Sequence, residues 1–440
     1  MSEKYQDTID YLFNSYPVFE HIGGSAYKEG LGNSLALDRH YGHPHHSYPT
    51  IHIGGTNGKG SCSHTLAAIL QQAGYKVGLY TSPHLVDFRE RIRVNGIPIS
   101  RERVMQFVDE DKPFFESLHP SFFELTTALA FRYFQEQQVD IAVIEVGLGG
   151  RLDCTNIITP ILSIITNISL DHTRFLGNTP TAIAHEKAGI IKPDVPVVIG
   201  EATDETRNVF VETAKNLKAP LVFAEEHPEV ESGRAVTTGG RDYITRHYGT
   251  LHGALGGDYQ DKNTNTVLAA IQVLRHTAIP NTPSSSSLTI TDADVQAGLE
   301  NVCATTGLMG RWQTLHRHPL VICDSGHNVG GWHYLSKQIK AQPCHALHIV
   351  FGMVDDKDID GVMTLLPKNA RYYWTAATSK RAIPAHRVAE IAARHELQGT
   401  PYPTVESACR AAMNNAHTDD FIFIGGSSYV VADLLSVNVF

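Results

Sequence analysis

A glycine-rich segment between an apolar run and a helical pattern constrains this chain more than any other feature. The run Thr50–Ile53 leads into Gly-Gly-Thr-Asn-Gly-Lys-Gly-Ser at positions 54–61, and a helical pattern covers Cys62–Ala73. Glycines let backbone N–H groups approach a phosphate closely, and the N-terminus of the following helix adds partial positive charge. The segment therefore predicts a strand, a phosphate-binding loop and a helix, in that order, within an α/β fold.

The residue types in this loop indicate ATP and Mg²⁺ as ligands. Lys59 can reach β- and γ-phosphates, and the Ser61 hydroxyl can ligate Mg²⁺. A glycine-rich turn without a ligand is the alternative, and the strand before the loop and the helix after it argue against that alternative. The residues expected to contact the nucleotide are Asn57, Gly58, Lys59, Gly60 and Ser61.

Short apolar runs alternate with helical patterns along the rest of the chain. Such alternation is typical of βαβ units around a parallel sheet that helices cover on both faces. After Thr50–Ile53, strands are predicted at Val77–Tyr80, Ile141–Val146, Ile161–Thr166 and Pro196–Ile199. A second set is predicted at Pro319–Cys323, Leu347–Gly352, Arg371–Ala377 and Phe421–Gly426.

The two sets of strands predict two α/β domains, as does the length of 440 residues. Between the sets lies the polar, proline-bearing segment Ile279–Ser287, which we expect to be an exposed connector. A helical pattern at Asp292–Asn301 follows it and moves the expected boundary to Gly307. We therefore predict a P-loop-containing parallel-sheet ATPase domain over 1–306 and a smaller Rossmann-like α/β domain over 307–440, with ligands at the strand ends.

Composition excludes several classes of function. The chain has 36 Lys and Arg against 46 Asp and Glu, a formal net charge of -10, so a nucleic-acid-binding surface is not expected. No apolar stretch is long enough to cross a bilayer, and the charged N-terminus lacks the apolar core of a signal peptide. The six scattered cysteines suit reduced thiols. We expect a cytoplasmic protein without a nucleic-acid or membrane partner.

Two polar positions follow predicted strands downstream of the loop. Glu145 lies in the run Ile141–Val146, and Asp171-His172 comes after the next strand. The carboxyl end of a parallel strand is where an ATPase places a Mg²⁺ ligand. A surface acid and a loop histidine are the alternatives for these residues taken singly, and histidine is an unusual ligand for a hard cation. Together, downstream of a phosphate loop, they favour a metal site.

Four motifs carry a resemblance to a known family. Gly60 separates Lys59 from Ser61, whereas Ser or Thr directly follows Lys in the usual Walker form, which weakens a GTPase, kinase or motor interpretation. The loop GTNGKGS looks like the ATP loop of the Mur ligase superfamily. With TSPHL (81–85), EVGLGGRLDCTN (145–156) and EKAGIIK (186–192), the chain resembles the folate branch of that superfamily, the dihydrofolate synthases and folylpolyglutamate synthases.

This resemblance implies where cations are held. It assigns metal binding to Glu145 and His172, in addition to Ser61, with two Mg²⁺ sites. It also implies that Lys187 is carbamylated, which turns a cation into an oxygen ligand for a second metal. An ordinary surface lysine is the alternative for Lys187 considered alone.

The resemblance also implies a pterin pocket. RERI (89–92) and Asn95-Gly96 match the folate enzymes better than the peptidoglycan ligases, although a charge-rich solvated loop is the alternative. An aromatic ring can stack on the pterin, and a carboxylate can accept its N–H groups. Core packing is the alternative for Phe122 and Phe123. The implied substrate-binding residues are Ser82, Phe123, Glu124, Leu152, Asp153 and Cys154.

Motifs in the second half complete the implied site. Asn263 matches the residue that reads adenine, and Arg311 matches the arginine that contacts ATP phosphates. Asp324 and His327 would lie near the nucleotide and the glutamate, and Ser427 would help to hold the glutamate. The chain departs from the family pattern at Met309, Ser325, Gly326 and Val329, of which Met309 and Val329 stand where the family usually has proline.

The resemblance implies an ATP-dependent ligase that joins L-glutamate to dihydropteroate or a reduced folate through an acyl phosphate, with Lys187, Arg311 and His327 as catalytic residues. A monomer is expected. A Mur-type ligase for another carboxylate acceptor and a nucleotide-binding switch without ligase chemistry are the alternatives. For the stretch His40–His46, a solvated loop and a metal site both stay open.

Overall fold

The computed structural model describes residues 3–17, 30–236, 239–277, 287–437 and 439, so the predicted connector Ile279–Ser287 lies outside the described residues except for Ser287. The described residues divide into two compact units. The first comprises those within Met1–Arg234, Asp242–Ala254 and Gln260–Leu308. The second comprises those within Ala235–Arg241, Leu255–Tyr259 and Met309–Phe440.

The first unit contains two sheets, apart from Ala235 and Arg241, which stand at strand ends of the smaller sheet and belong to the second unit. The strands of the larger sheet are β1 (Thr50–Gly54), β2 (Val77–Tyr80), β3 (Ile92–Val94), β4 (Ile97–Pro98), β5 (Ile141–Glu145), β6 (Leu162–Ile165), β7 (Val197–Ile199) and β8 (Leu221–Phe223), in the order β4-β3-β2-β5-β1-β6-β7-β8. A smaller sheet has the order β11-β10-β9 and consists of β9 (Val230–Ala235), β10 (Arg241–Thr245) and β11 (Thr250–Gly253).

The described helices of the first unit precede, separate and follow these strands. They are α1 (Glu3–Ser15), α2 (Gly32–His40), α3 (Lys59–Gln72), α4 (Arg101–Leu118), α5 (Phe122–Glu136), α6 (Thr173–Leu176), α7 (Pro180–Ala188), α8 (Asp204–Leu217), α9 (Gln260–His276), α10 (Asp292–Glu300) and α11 (Val302–Thr306). Short 3₁₀ helices cover Pro44–Ser47, Phe88–Arg91 and Cys154–Ile157.

Strand β1 lies inside the larger sheet, between β5 and β6, and its residues are buried on both faces. It pairs in parallel with β5 and β6, and Ile53 is opposite Glu145 in the register. One face of the sheet packs on α3, α9 and α10, and the other packs on the aromatic side chains of α4 and α5. The carboxyl ends of β1, β5 and β6 therefore meet at one edge, and the phosphate-loop segment leaves the sheet there.

The second unit is a six-stranded sheet with helices. Its strands are β12 (Gln313–Arg317), β13 (Leu320–Asp324), β14 (Leu347–Phe351), β15 (Ala370–Trp374), β16 (Gly399–Pro401) and β17 (Phe421–Gly425), in the order β12-β13-β17-β14-β15-β16. Its described helices are α12 (Val329–Ala341), α13 (Ile359–Met363), α14 (Ala385–Arg394), α15 (Val405–Asn415) and α16 (Ser428–Ser436). Among the described strands of this sheet, only β12 runs antiparallel to its neighbour.

The predicted fold class, a parallel-sheet α/β unit followed by a smaller α/β unit, is confirmed. Each apolar run forms a strand, although the run predicted at Arg371–Ala377 ends its strand at Trp374. Strands β3 and β4 add an antiparallel edge that the apolar runs do not predict. All six cysteines are free thiols, as expected. Among the described residues, no helix has both the length and the apolar character needed to cross a membrane.

Candidate active site

The loop after β1 is shaped by close backbone packing against the segment that follows β6. Gly55 has φ +137, and a Cβ at this position would lie 1.9 Å from Thr166 Oγ1. The Thr166 hydroxyl donates to Asn57 O at 2.5 Å, and Asn57 N donates to Asn167 Oδ1 at 3.0 Å. These contacts fix the path of the loop before any ligand binds, so the backbone N–H groups are preorganised.

Two lysines converge on the loop carbonyls. Lys59 Nζ donates to Gly55 O at 3.1 Å and to Thr56 O at 3.0 Å. Lys187, on α7, is 4% exposed, and its Nζ donates to the same Gly55 O at 2.8 Å. Burial, and then the positive charge of Lys59, lower the pKa of Lys187 to about 7. The alternative of an ordinary surface lysine is therefore wrong for Lys187.

The start of α9 lies against the loop and the first turn of α3. Gln260 Nε2 donates to Ser61 Oγ at 3.1 Å, and Asn263 Nδ2 donates to Gln260 Oε1 at 2.9 Å. A Cβ at Gly58 would lie 2.2 Å from Asn263 Oδ1. The structure thus brings Asn263 to the phosphate loop, one helical turn from Gln260, which the sequence analysis did not single out.

The predicted metal ligands lie at the strand edge beside the loop. Glu145 ends β5, is 3% exposed, and accepts from Ser82 N at 3.2 Å. His172 precedes α6 in a left-handed conformation, with its N–H bonded to Asp171 Oδ1 at 2.8 Å. Within the described ranges, no group of three or more His, Cys, Asp and Glu side chains has the arrangement of a metal cage. A carboxylate and the Ser61 hydroxyl still match the oxygen ligands that Mg²⁺ prefers.

The predicted pterin-pocket residues surround α5 and the turn after β5. Phe122 is buried in the aromatic core, so core packing is right for this ring, whereas Phe123 is partly exposed and a Cβ at Gly147 would lie 2.3 Å from its Cζ. Glu124 is buried and accepts from Ser121 N at 2.6 Å in a capping box. Glu124 and Cys154 line the same small cavity.

The Asp153 carboxylate holds the turn that contains Leu152, Asp153 and Cys154. Asp153 accepts from Leu148 N at 2.8 Å, from Thr155 N at 3.0 Å and from the Thr155 hydroxyl. Burial raises the pKa of Asp153, against the opposing effect of these hydrogen bonds. Leu152 is partly buried next to it. Asp153 therefore shapes the turn that presents Cys154 to the cavity.

Two charged stretches are more ordered than a solvated loop. Arg91, in RERIR, is 1% exposed, and its Nε donates to His84 Nδ1 at 2.7 Å. In the histidine stretch, His45 is buried and bonded to Asp38, and Pro44–Ser47 forms a 3₁₀ helix. The solvated-loop interpretation is wrong for these two side chains because packing against neighbouring aromatic rings excludes water from them.

In the second unit, Asp324 is the centre of a buried polar cluster. It ends β13 and accepts from Tyr259 OH at 2.5 Å, from Trp312 N at 2.7 Å and from Gly326 N at 2.8 Å. Burial raises the pKa of Asp324, while the hydrogen bond from Tyr259 opposes that shift. Tyr259 directly precedes Gln260 in the segment Tyr259–Asn263, in which the sequence predicts a role only for Asn263.

The remaining predicted residues of the second unit lie near the same strand ends. Arg311 donates to the Ser325 hydroxyl and to Gly310 O at 3.2 Å, so the serine that departs from the family pattern contacts the arginine. His327 Nδ1 pairs with Ser325 O at 3.1 Å. Asp324 is opposite Gly425 in the parallel register, and Ser427 follows two residues later as the N-cap of α16.

Comparison with known proteins decides the family. The Mur ligase middle domain matches residues 53–271, and the Mur ligase glutamate ligase domain matches residues 310–428. The dihydrofolate synthase/folylpolyglutamate synthase of Bacillus subtilis (strain 168) is 32% identical over 419 residues, which cover 92% of this chain and 94% of that protein. The chain belongs to the dihydrofolate synthase/folylpolyglutamate synthase family of Mur ligases.

Solved structures of this family have the same fold. E. coli FolC in complex with DHPP and ADP is 30% identical, with a TM-score of 0.81 and coverage of 99% of this chain and 97% of that chain. The Mycobacterium tuberculosis folylpolyglutamate synthase complexed with ADP and AMPPCP is 26% identical, with a TM-score of 0.85 and coverage of 98% and 97%. The family membership expected from the motifs is confirmed.

Proposed function

We propose that this chain is an ATP-dependent ligase that adds L-glutamate to dihydropteroate, to reduced folates or to both. The observation that carries the proposal is the phosphate loop, whose Gly55 carbonyl accepts from Lys59 and from Lys187, in a chain of this family. A binding switch needs one loop lysine to hold the nucleotide, and a second, buried lysine of lowered pKa at the same carbonyl suits group transfer.

Mg²⁺ is the proposed metal, with two sites. Glu145 would hold it together with Ser61 and His172, and the carboxylate and hydroxyl oxygens fit a hard cation. When bound, Mg²⁺ neutralises charge on the phosphate oxygens. Lys59 would add a positive charge at the same loop once its Nζ turns from the Gly55 and Thr56 carbonyls to the phosphates.

Lys187 is the proposed site of carbamylation. An amine attacks CO₂ only in its neutral form, and a pKa of about 7 makes that form abundant at neutral pH. The amine nitrogen bonds to the CO₂ carbon and loses one proton, which leaves an anionic carbamate. The charge at this position then changes sign, which places an oxygen ligand beside Gly55 and relieves the repulsion between Lys187 and Lys59.

The reaction proposed for this site begins with attack of the substrate carboxylate on the γ-phosphorus of ATP, which releases ADP and forms an acyl phosphate. The α-amine of glutamate then attacks the acyl carbon, and a tetrahedral intermediate collapses to the amide and inorganic phosphate. The carboxylate is already a competent nucleophile, so the protein supplies positioning and charge neutralisation. Lys187, Arg311 and His327 are the proposed catalytic residues, with Arg311 acting on the phosphates.

Substrate contacts are proposed for both units. In the first unit, the aromatic face of Phe123 and the carboxylates of Glu124 and Asp153 would recognise the pterin, with Ser82, Leu152 and Cys154 beside them. Asn57, Gly58, Lys59, Gly60, Ser61, Asn263 and Asp324 would contact ATP. His327 and Ser427 would hold glutamate. Residues 1–306 would thus carry ATP and pterin binding and 307–440 glutamate ligation, in a cytoplasmic monomer.

One assay tests the proposal and separates the two acceptors. The protein is incubated with ATP, Mg²⁺ and L-glutamate, and dihydropteroate and tetrahydrofolate are offered separately. We expect a product heavier than the acceptor by one glutamyl residue, with one phosphate released per glutamate added, and the mass spectrum identifies it. Phosphate release that ignores glutamate and both acceptors contradicts the proposal and favours a switch. A UDP-linked acceptor in the same assay tests the Mur-type alternative.

A further inference from the structure

A cavity in the first unit contains a carboxylate that no motif of the family resemblance includes. The cavity is walled by α2, α5 and the 3₁₀ helices Pro44–Ser47 and Cys154–Ile157. Asp38 lines it from α2, and Glu124 and Cys154 line it from the proposed pterin side. The remaining lining residues are Ser34, Tyr41, Pro44, Thr127, Ala128, Phe131 and Ile157.

Two histidines fix the orientation of Asp38. His45 Nδ1 lies 2.7 Å from Asp38 Oδ1, and His43 Nδ1 lies 2.6 Å from Asp38 Oδ2. An ionised carboxylate only accepts hydrogen bonds, so each imidazole carries its proton on Nδ1. Each carboxylate oxygen has a second lone pair, and Asp38 is 5% exposed, so water does not satisfy those lone pairs freely.

The polar groups that line the cavity favour a ligand that donates hydrogen bonds. Asp38 and Glu124 are both buried carboxylates, and no lysine or arginine stands among the described residues that line the cavity. Ser34, one helical turn before Asp38, is also buried, and apart from the neighbouring Cys154 thiol its hydroxyl has no described partner. Two buried carboxylates without a lysine or arginine beside them disfavour an anionic occupant, and their remaining lone pairs can accept from a ligand that donates hydrogen bonds.

We propose that Asp38 is a specificity-determining residue of the acceptor site, where it accepts N–H groups from the amino-bearing edge of the pteridine ring. This inference rests on the proposed function, because that function supplies the ring. A 2-amino-4-oxopyrimidine edge offers an exocyclic amine and a ring N–H, which match a carboxylate acceptor. His43 and His45 are positioning residues, since they touch Asp38 and are not themselves among the lining residues.

The test compares two ligands and two variants. The ligands are dihydropteroate and its 2-desamino-2-methyl analogue, and their dissociation constants are measured by calorimetry on the full chain. The wild type should bind dihydropteroate at least about tenfold more tightly than the analogue, because the analogue lacks the amine that donates to the Asp38 carboxylate. Asp38→Asn, which keeps the shape but removes the charge, should bring the ratio close to one.

The matched control is Asp111→Asn. Asp111 also accepts from a histidine, His40 Nε2 at 2.9 Å, and from Tyr41 OH at 2.9 Å, but it does not line the cavity. We expect Asp111→Asn to keep the wild-type ratio. In steady-state assays, Asp38→Asn should raise the KM for dihydropteroate about tenfold while the KM for ATP stays unchanged.

Three outcomes would contradict the role of Asp38 or the proposed ligase function. A wild-type ratio in Asp38→Asn overturns the role of Asp38 and leaves the ligase intact, provided that the wild type still ligates glutamate to dihydropteroate. A wild type that neither binds nor ligates dihydropteroate overturns both proposals. If thermal melting shows that Asp38→Asn is unfolded, Asp38→Glu displaces the carboxylate by one methylene, and an unchanged ratio in that variant overturns the assignment equally.

Discussion

At the scale of single residues, Gly58 and Gly74 have nearly the same positive φ but different surroundings, so substituting each one separates backbone strain from a steric clash. Gly58 has φ +86, and a Cβ there would meet Asn263 Oδ1 at 2.2 Å. Gly74 has φ +89, and a Cβ there would meet nothing within 4 Å. An L-residue in this left-handed region costs about 1–2 kcal/mol at either position. Only Gly58 carries the additional clash, and it precedes the phosphate-loop lysine.

Gly58→Ala should therefore weaken ATP binding at least about tenfold, because Asn263 or the loop must move. Gly74→Ala should lower the free energy of unfolding by about 1 kcal/mol and bind ATP like the wild type. Calorimetric titration with ATP and urea unfolding of both variants measure the two effects. Equal ATP affinities in the two variants would show that the contact between Gly58 and Asn263 does not shape the loop.

Lys187 gives a pH-dependent prediction. Its pKa is lowered from 10.5 to about 7 in the folded protein, so between these values the unfolded chain binds the additional proton. The free energy of unfolding should then rise with pH across this window, by up to about 1.4 kcal/mol per pH unit, relative to Lys187→Met. Urea unfolding in CO₂-free buffer at pH 7, 8 and 9 measures the slope.

The same Lys187→Met variant should lose at least about 100-fold in ligation rate, because the group beside Gly55 cannot become a carbamate. Lys215→Met, on the exposed side of α8, is the control and should match the wild type in both slope and rate. A folded Lys187→Met variant with near-normal turnover would refute the role assigned to this lysine.

At the scale of elements, β1 contains a histidine that the fold keeps neutral. His52 is fully buried, and burial, followed by the charge of Lys192, lowers its pKa to about 3. Thr155 Oγ1 already gives its proton to Asp153, so His52 Nε2 donates to that oxygen at 2.8 Å. This hydrogen bond ties the central strand of the sheet to the turn that presents Cys154.

His52 should make the protein acid-sensitive. Below pH 6.5 the unfolded chain takes up a proton at this histidine and the folded chain does not, so stability falls as pH falls. Between pH 6.5 and 5 the loss should be about 2 kcal/mol. Urea unfolding of the wild type and His52→Gln over this range measures the loss. The free energy of unfolding of the variant should fall less steeply with pH than that of the wild type. Parallel slopes would contradict the assignment.

Ser427 is the N-cap residue of α16 and is also proposed to bind glutamate, and substitutions can separate these two roles. Ser427 Oγ accepts from Val430 N at 3.2 Å, and Thr404 caps α15 in the same unit through Ser407 N at 3.1 Å. Ser427→Ala and Thr404→Ala should each lower the free energy of unfolding by about 1 kcal/mol. Only Ser427→Ala should also raise the KM for glutamate, by about tenfold. Equal glutamate KM values would make Ser427 a cap alone.

At the scale of the whole molecule, apolar runs predict the sheet and local motifs predict the loop, since both depend on neighbouring residues. The run Val77–Tyr80 is a strand with the predicted bounds, whereas β9 is exposed along most of its length and lacks such a run. Contacts between distant residues were not predicted. Lys187 donates to a carbonyl 132 residues away in the sequence. The segments Ala235–Arg241 and Leu255–Tyr259 belong to the second unit, although the rest of that unit begins at Met309.

The net charge of the chain also predicts how its substrates associate. The formal charge is -10, and each glutamate added to a folate tail brings one more carboxylate. Long-range repulsion should therefore slow association more for longer tails, and salt should screen it, because the Debye length falls from about 30 Å at 0.01 M to about 8 Å at 0.15 M. Between these ionic strengths, kcat/KM for a triglutamate acceptor should rise about threefold or more, whereas that for dihydropteroate should change little. Initial rates in sodium and choline chloride measure the effect and separate screening from specific ion binding. A fall in kcat/KM with salt would show that local cations near the tail, and not the net charge, govern its approach.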